Sequence, residues 1–137
     1  MSCILNIETS TSVCSVALSM DGEVLFAKAS FDGPSHAALL GVFVEEALSV
    51  LKKKGKKALD AVAVSSGPGS YTGLRIGVSV AKGLCFGFGI PLIGIHTLAI
   101  MAATVNSKGD SQIVSITDNC LYCAMLDARR MEVYAAI

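Results

Sequence analysis

A mixed α/β fold is predicted by three observations on this 137-residue chain. Cys3 to Ile7, Val13 to Met20 and Glu23 to Ser30 read as short strands, and the last two are separated by Asp21-Gly22, the strongest two-residue hairpin signal. Beyond residue 35, helix and strand patterns alternate, with elements opening at Ser35 or its neighbours, Leu59, Thr72, Pro91 and Thr97. With 53% hydrophobic and 16% charged residues, the chain has ample apolar material to bury and is far from the composition of disorder. A hairpin-linked meander followed by βαβ units predicts a mixed five-stranded sheet with helices on both faces, because crossovers demand parallel neighbours.

The first helix is expected to run from Ser35 to about Lys54. Leu40, Phe43, Val44, Ala47, Leu48 and Leu51 recur at i, i+3, i+4 and i+7 and make one core stripe, leaving Leu39, Val42 and Val50 over. Lys52, Lys53, Lys54, Lys56 and Lys57 cluster at its end, where cations complement the helix macrodipole and Gly55 is placed as a stop. A solvated helix end accounts for them; contact with nucleic acid is the other reading. After a short buried strand at Leu59 to Val64, a second helix is expected over 72–89. Leu74, Val78, Ala81, Cys85 and Phe88 form its core stripe, and Gly73, Gly77, Val80 and Leu84 a second side that is small and apolar. Two helices with surplus apolar sides predict contact with another protein chain through Leu39, Val42, Val50, Gly73, Gly77, Val80 and Leu84.

The uncharged run Gly83 to Ser107 is long enough to span a bilayer as one helix. Gly87, Gly89 and Pro91 break it into a helix end, a strand at Pro91 to Ile95 and a new helix from Thr97. Past the linker Asn106 to Asp110, three more strands are expected at Ile113 to Ile116, Cys120 to Asp127 and Glu132 to Ile137, the last two joined around Ala128-Arg129-Arg130-Met131. The domain reading is a first domain over 1–110 and the beginning of an incomplete second over 111–137.

Composition narrows the function classes. Eleven basic and 11 acidic residues cancel, so no global field favours nucleic acid or an anionic membrane. Met1 to Ser10 holds no basic residue and no secretory cleavage pattern, which predicts a cytoplasmic protein whose five cysteines stay reduced. Cys120-Leu121-Tyr122-Cys123 lacks a second pair and is read as packing. His36 and His96 are the only histidines, so no metal site is expected. Ser35-His36 has no nucleophile elbow to act with, and Glu8, Asp60 and Asp118 are too few for a two-carboxylate nuclease.

Two segments carry candidate chemistry. In Ser65-Ser66-Gly67-Pro68-Gly69-Ser70-Tyr71-Thr72-Gly73, Gly67 and Gly69 supply backbone freedom and Thr72 is placed to cap a helix whose amides favour an anion. No Gly-Lys-Ser/Thr and no G-x-G-x-x-G is present, so phosphate binding and a plain strand-to-helix turn both remain open. Glu8-Thr9-Ser10-Thr11-Ser12 places a carboxylate and hydroxyls at the end of the first strand, suited to hydrated Mg²⁺ and phosphate or to a hydrogen-bonded turn. The candidate phosphate-binding residues are Glu8, Thr9, Ser10, Gly67, Gly69, Thr72 and Gly73.

Three segments together resemble the TsaB family, also called YeaZ: Ile4-Leu5-Asn6-Ile7-Glu8-Thr9-Ser10, the loop from Ser66 to Gly77, and Asp127-Ala128-Arg129-Arg130-Met131-Glu132-Val133-Tyr134. The first two are shared in outline with TsaD; the third points to TsaB. The resemblance implies the actin and Hsp70 type of ATPase fold, ribonuclease H-like and duplicated, in a group once classed with the glycoproteases. Catalytic TsaD-like members place a His-x-Glu-x-His metal motif where this chain carries Thr97, Ala99 and Met101, poor donors for a borderline cation.

The function implied is therefore that of a non-catalytic scaffold, with no catalytic residue and no metal of its own. It would support a TsaD-like enzyme, with a TsaE-like ATPase joining, in threonylcarbamoylation of adenosine 37 of tRNA. The implied partners are those two proteins, tRNA through the complex, and a second copy when alone. No cofactor of its own is expected, ATP and Mg²⁺ entering weakly or within the complex, and no membrane. Two departures from the family stand out: His36 is followed by Ala37-Ala38-Leu39-Leu40 without the usual acid, and the chain is shorter than family members. The rival readings are a phosphotransferase of the acetate or sugar kinase type and a purely homodimeric module.

Overall fold

A computed structural model of the chain describes residues 2–31, 36–55, 58–107 and 121–137. Strands β1 (Cys3–Glu8), β2 (Cys14–Met20) and β3 (Glu23–Ser30) form the expected meander. Asp21 and Gly22 both have positive φ, 50° and 88°, as a two-residue hairpin matched to strand twist requires. Helix α1 (His36–Lys53), β4 (Ala61–Ser65), α2 (Tyr71–Phe88), β5 (Leu92–Ile95) and α3 (Thr97–Ser107) follow. The sheet order is β3-β2-β1-β4-β5, antiparallel at β3-β2-β1 and parallel at β1-β4-β5. Strands β6 (Ala124–Arg129) and β7 (Glu132–Ala136) pair antiparallel in a second sheet.

Alternation along β1 and β2 sets the two faces apart. Cys3, Leu5, Ile7, Cys14, Val16 and Leu18 are buried, and their neighbours Ile4, Asn6, Ser15 and Ala17 only half-buried. Helix α1 covers β2 and β3, α2 covers β4, and the two helices touch, so they share the buried face. Leu40, Phe43, Val44, Ala47 and Leu51 come from the stripe expected on α1; Leu48 is half-buried at its margin. On the other face Asn6 Nδ2 donates to Ser19 Oγ at 3.1 Å, and Ile100 of α3 lines a cavity of about 340 Å³ with Asn6, Ala17 and Ile95. Helices thus reach both faces.

The rotation of α2 differs from the expected one. Its buried line is Gly73, Gly77, Ala81 and Cys85, whereas Leu74 and Val78 are half-buried and Phe88 is 50% exposed. The reason is steric: a Cβ on Gly73 would overlap the Thr9 carbonyl oxygen, and one on Gly77 the Thr9 hydroxyl. Close approach of helix to strand end, not side-chain bulk, selects the inward line. Gly73 and Gly77, expected on a partner surface, are thus occupied by packing within the chain. Val80, Leu84, Leu39 and Val50 also lean on the core, which leaves Val42, 48% exposed, as the most open of the expected contact residues.

Thr72 is not the cap. Ser70 is, its hydroxyl accepting from Gly73 N–H at 3.3 Å, and Gly89 closes the helix with φ 66°. No helix among the described residues is long and apolar enough to cross a membrane. Ser35, Lys56, Lys57, Asp118, Cys120 and the strand expected at Ile113 to Ile116 lie outside the described residues.

Candidate functional site

The turn after β1 and the loop before α2 are fastened to each other. Thr9 Oγ1 donates to the Gly73 carbonyl at 2.8 Å, and Ser70 N–H donates to the Ser10 carbonyl at 2.6 Å. The loop is also tied to the next unit: Ser66 N–H bonds the Ile95 carbonyl and Thr97 N–H the Gly67 carbonyl, both at 2.8 Å. Gly67 sits at φ 106°, a conformation a side chain would strain.

Above this seam lies a cavity of about 630 Å³. Ser10, Thr11 and Ser12 form one wall, Gly69, Ser70, Thr72 and Gly73 another, and His36, Asp127 and Arg129 close it from α1 and β6. His36, the first residue of α1, is 6% exposed and holds its Nε2 2.9 Å from the Thr11 carbonyl oxygen. Arg129 has a positive φ of 67°, and its N–H donates to Asp127 Oδ1 at 2.7 Å, a local bond that supports the tight turn between β6 and β7.

The seven candidate phosphate residues divide. Ser10, Gly69, Thr72 and Gly73 line this cavity. Gly67, with Gly69 and His96, lines a neighbouring cavity of about 590 Å³. Thr9 is completely buried with its hydroxyl engaged by Gly73, so it anchors the site instead of facing a ligand. Glu8 belongs to the cavity on the other sheet face; its Oε1 accepts from Ser10 N–H at 2.6 Å and Ser65 Oγ at 2.9 Å. Sequence reasoning missed His36, Ser70 and Arg129. Ser70 was legible as a hydroxyl immediately ahead of the helix; His36 and Arg129 arrive by long-range packing that no local pattern reports.

The donor set indicates what fits. Hydroxyls, the first amides of α2 and a guanidinium suit an oxyanion such as a nucleotide phosphate. A hydrated Mg²⁺ wants carboxylates, and here Asp127 is the sole one in the lining. Among the described residues no group of three or more His, Cys, Asp or Glu converges.

Comparison with known proteins places this arrangement. The family model described as TsaD, tRNA N6-adenosine threonylcarbamoyltransferase, matches residues 32–137. The tRNA threonylcarbamoyladenosine biosynthesis protein TsaB of Escherichia coli (strain K12) is 38% identical over 137 residues, covering 97% of this chain and 53% of that protein. A tRNA N6-adenosine threonylcarbamoyltransferase of Nitratidesulfovibrio vulgaris is 38% identical over 112 residues, 72% of this chain and 31% of that protein. The solved structure of YeaZ from Pseudomonas aeruginosa superposes with a TM-score of 0.80 at 34% identity, covering 98% of this chain and 59% of that one. The fold is the ribonuclease H-like, actin-like one that the resemblance implied. The chain spans about half the length of the curated relatives it matches. It belongs to the TsaD family and has the sequence and fold character of the TsaB and YeaZ members.

Proposed function

We propose that this chain acts in tRNA threonylcarbamoyladenosine biosynthesis as a non-catalytic scaffold that supports a TsaD-like enzyme. The observation that carries the reading is the junction of β5 and α3, where Thr97, Ala99 and Met101 stand in place of metal donors. Thr97 is buried with its N–H on the Gly67 carbonyl, and Ala99 and Met101 are exposed, so neither chemistry nor position favours a catalytic cation there. The contact with the enzyme is assigned to the outer side of α1 and α2, around Val42, with Leu39, Val50, Val80 and Leu84 at its margin. A TsaE-like ATPase and tRNA join through the complex, and a second copy uses the same helices when the enzyme is absent.

Reconstitution tests this. A TsaD-like enzyme, a TsaE-like ATPase and unmodified tRNA are combined with and without the chain, and threonylcarbamoyladenosine is measured by nucleoside mass spectrometry. Product that depends on the chain, with no product from the chain and tRNA alone, is expected. Equal product without the chain overturns the scaffold reading, and steady phosphotransfer by the pure chain would favour the kinase-type alternative.

A further inference from the structure

Tyr71, the first residue of α2, and Tyr134, in the middle of β7, are far apart in sequence and meet at two adjoining cavities. The larger, of about 590 Å³, is lined also by His96 and the turn from Gly67 to Gly69, and the smaller, of about 290 Å³, by Arg129. Neither ring belongs to the core. Tyr71 is 74% exposed and Tyr134 45%, so each keeps much of its aromatic surface in water.

Positive charge flanks the pair. The Arg75 guanidinium, one turn along α2, stands 5.4 Å from the centroid of the Tyr71 ring. An arginine stacked in this way covers one face of the ring and keeps its N–H edge for a phosphate. Arg129 comes from the turn between β6 and β7, and neither arginine has an ion-pair partner among the described residues. Among the described residues that line the larger cavity there is no carboxylate, and Asp127, which lines the smaller, has its Oδ1 taken by the Arg129 N–H. Aromatic faces with cations beside them and little acid to repel a phosphate fit a ligand that alternates flat rings with negative charge. Single-stranded nucleic acid is such a ligand. A duplex hides its base faces, and a free mononucleotide carries its charge at one end, whereas Arg75 and Arg129 reach the tyrosines from different elements.

We infer that the chain contacts RNA directly, unpaired bases stacking on Tyr71 and Tyr134 beside His96 while Arg75 and Arg129 meet the flanking phosphates. The inference deepens the scaffold reading and rests on it for the source of the strand, tRNA. It adds an RNA contact of the chain's own to its support of the enzyme.

The chain has three tyrosines and no tryptophan, so tyrosine emission reports chiefly on these cavities. The full chain is titrated with single-stranded oligoadenylate, with the same strand annealed to oligouridylate, and with AMP. After correction for absorption by the RNA, the single strand should quench the emission saturably, and the duplex and AMP should bind about tenfold more weakly. Anisotropy of an end-labelled strand gives the affinities of variants. Tyr71→Leu keeps apolar bulk but removes the stacking face and should weaken binding about tenfold, whereas Tyr71→Phe should bind as the original does. Arg75→Gln should lower the slope of log affinity on log salt by about 0.7, the mark of one lost phosphate contact on a single strand. If Tyr71→Leu does not fold, the ring proton resonances of Tyr71 and Tyr134 in the unmutated chain decide, moving upfield with the single strand and not with the duplex. Absent quenching, equal binding of the duplex or of AMP, full affinity in Tyr71→Leu, an unchanged salt slope in Arg75→Gln, or unmoved tyrosine resonances overturns the inference. The two readings fail separately: a chain that binds RNA and yet is not needed for product removes the scaffold role, and one that is needed for product but binds no RNA removes this contact.

Discussion

The hydroxyl of Thr9 donates to the carbonyl oxygen of Gly73 across 2.8 Å, in the buried seam where the end of β1 meets the first turns of α2. A helix can approach a strand end this closely only where it presents no side chain. Gly73 and Gly77 supply that, one turn apart and on the same side.

Adding a methyl group at the seam should therefore destabilise. In an exposed helix interior, Gly→Ala stabilises by about 0.5–1 kcal/mol. At Gly73 or Gly77 the new Cβ meets Thr9 with little room to yield, and Gly77→Ala is expected to cost a net of roughly 1–3 kcal/mol. Gly83, exposed with nothing near its missing Cβ, is the control, and Gly83→Ala should stabilise. Urea midpoints of the two variants should move in opposite directions; midpoints that rise together would show that the seam is loose.

The outer side of α1 offers a cleaner probe of partner contact than α2. Val42 is 48% exposed, while Leu39 and Val80 pack against the core. Val42→Glu is expected to leave the thermal melt within about 0.5 kcal/mol of the original, as surface changes do. Light scattering should show weakened association with a second copy or with a TsaD-like enzyme. Val80→Glu should lose both stability and association. Unchanged association in Val42→Glu would remove this side of α1 from the interface.

The thiols should divide by burial. Cys14 is fully buried in the core, and desolvation pushes its thiol above the ordinary value of 9.0. Cys123 is exposed. A thiol reagent at neutral pH should label Cys123 first and Cys14 only as the chain unfolds. The linkage has a definite sign. Above about pH 9 the unfolded thiol loses its proton while the buried one keeps it, so the folded state binds more protons and Cys14 lowers stability as pH rises. Below that value its contribution is constant. Denaturant midpoints between pH 8 and pH 10 check this, with Cys14→Ala as the comparison.

Lys28 of β3 and Glu46 of α1 form an ion pair at 2.7 Å, with Lys28 Nζ also 4.9 Å from the Phe43 ring centroid. Both side chains are about two-fifths exposed, so water and salt screen the pair. Glu46→Gln should cost no more than about 0.5 kcal/mol, with the difference shrinking at high salt. A larger, salt-insensitive loss would mean that the pair fixes the approach of α1 to the sheet edge.

Much of the fold could be read from the chain because its signals are local. Asp21-Gly22 specifies a hairpin through backbone conformation alone, and the crossovers after residue 35 permit only parallel neighbours. The rotation of α2 was not legible for an equally physical reason. Hydrophobic periodicity weighs side chains, so Leu74, Val78 and Phe88 suggested the inward line, whereas glycines carry no such weight and yet define it. The site divides in the same way. Ser10, Gly69 and Thr72 lie in segments whose composition announces a turn. His36 and Arg129 enter from elements distant in sequence, and Glu8 shows how one step along a strand sends a side chain to the opposite face.

The loop from Ser66 to Ser70 is held at three points: to Ile95 of β5, to Thr97 of α3 and to Ser10 after β1. Ordering a free backbone residue costs about 1–2 kcal/mol in conformational entropy. In this loop that cost is met when the chain folds, so a molecule arriving at the cavity meets a rim already shaped. Its affinity is then set by the groups it finds there and not by the work of organising them.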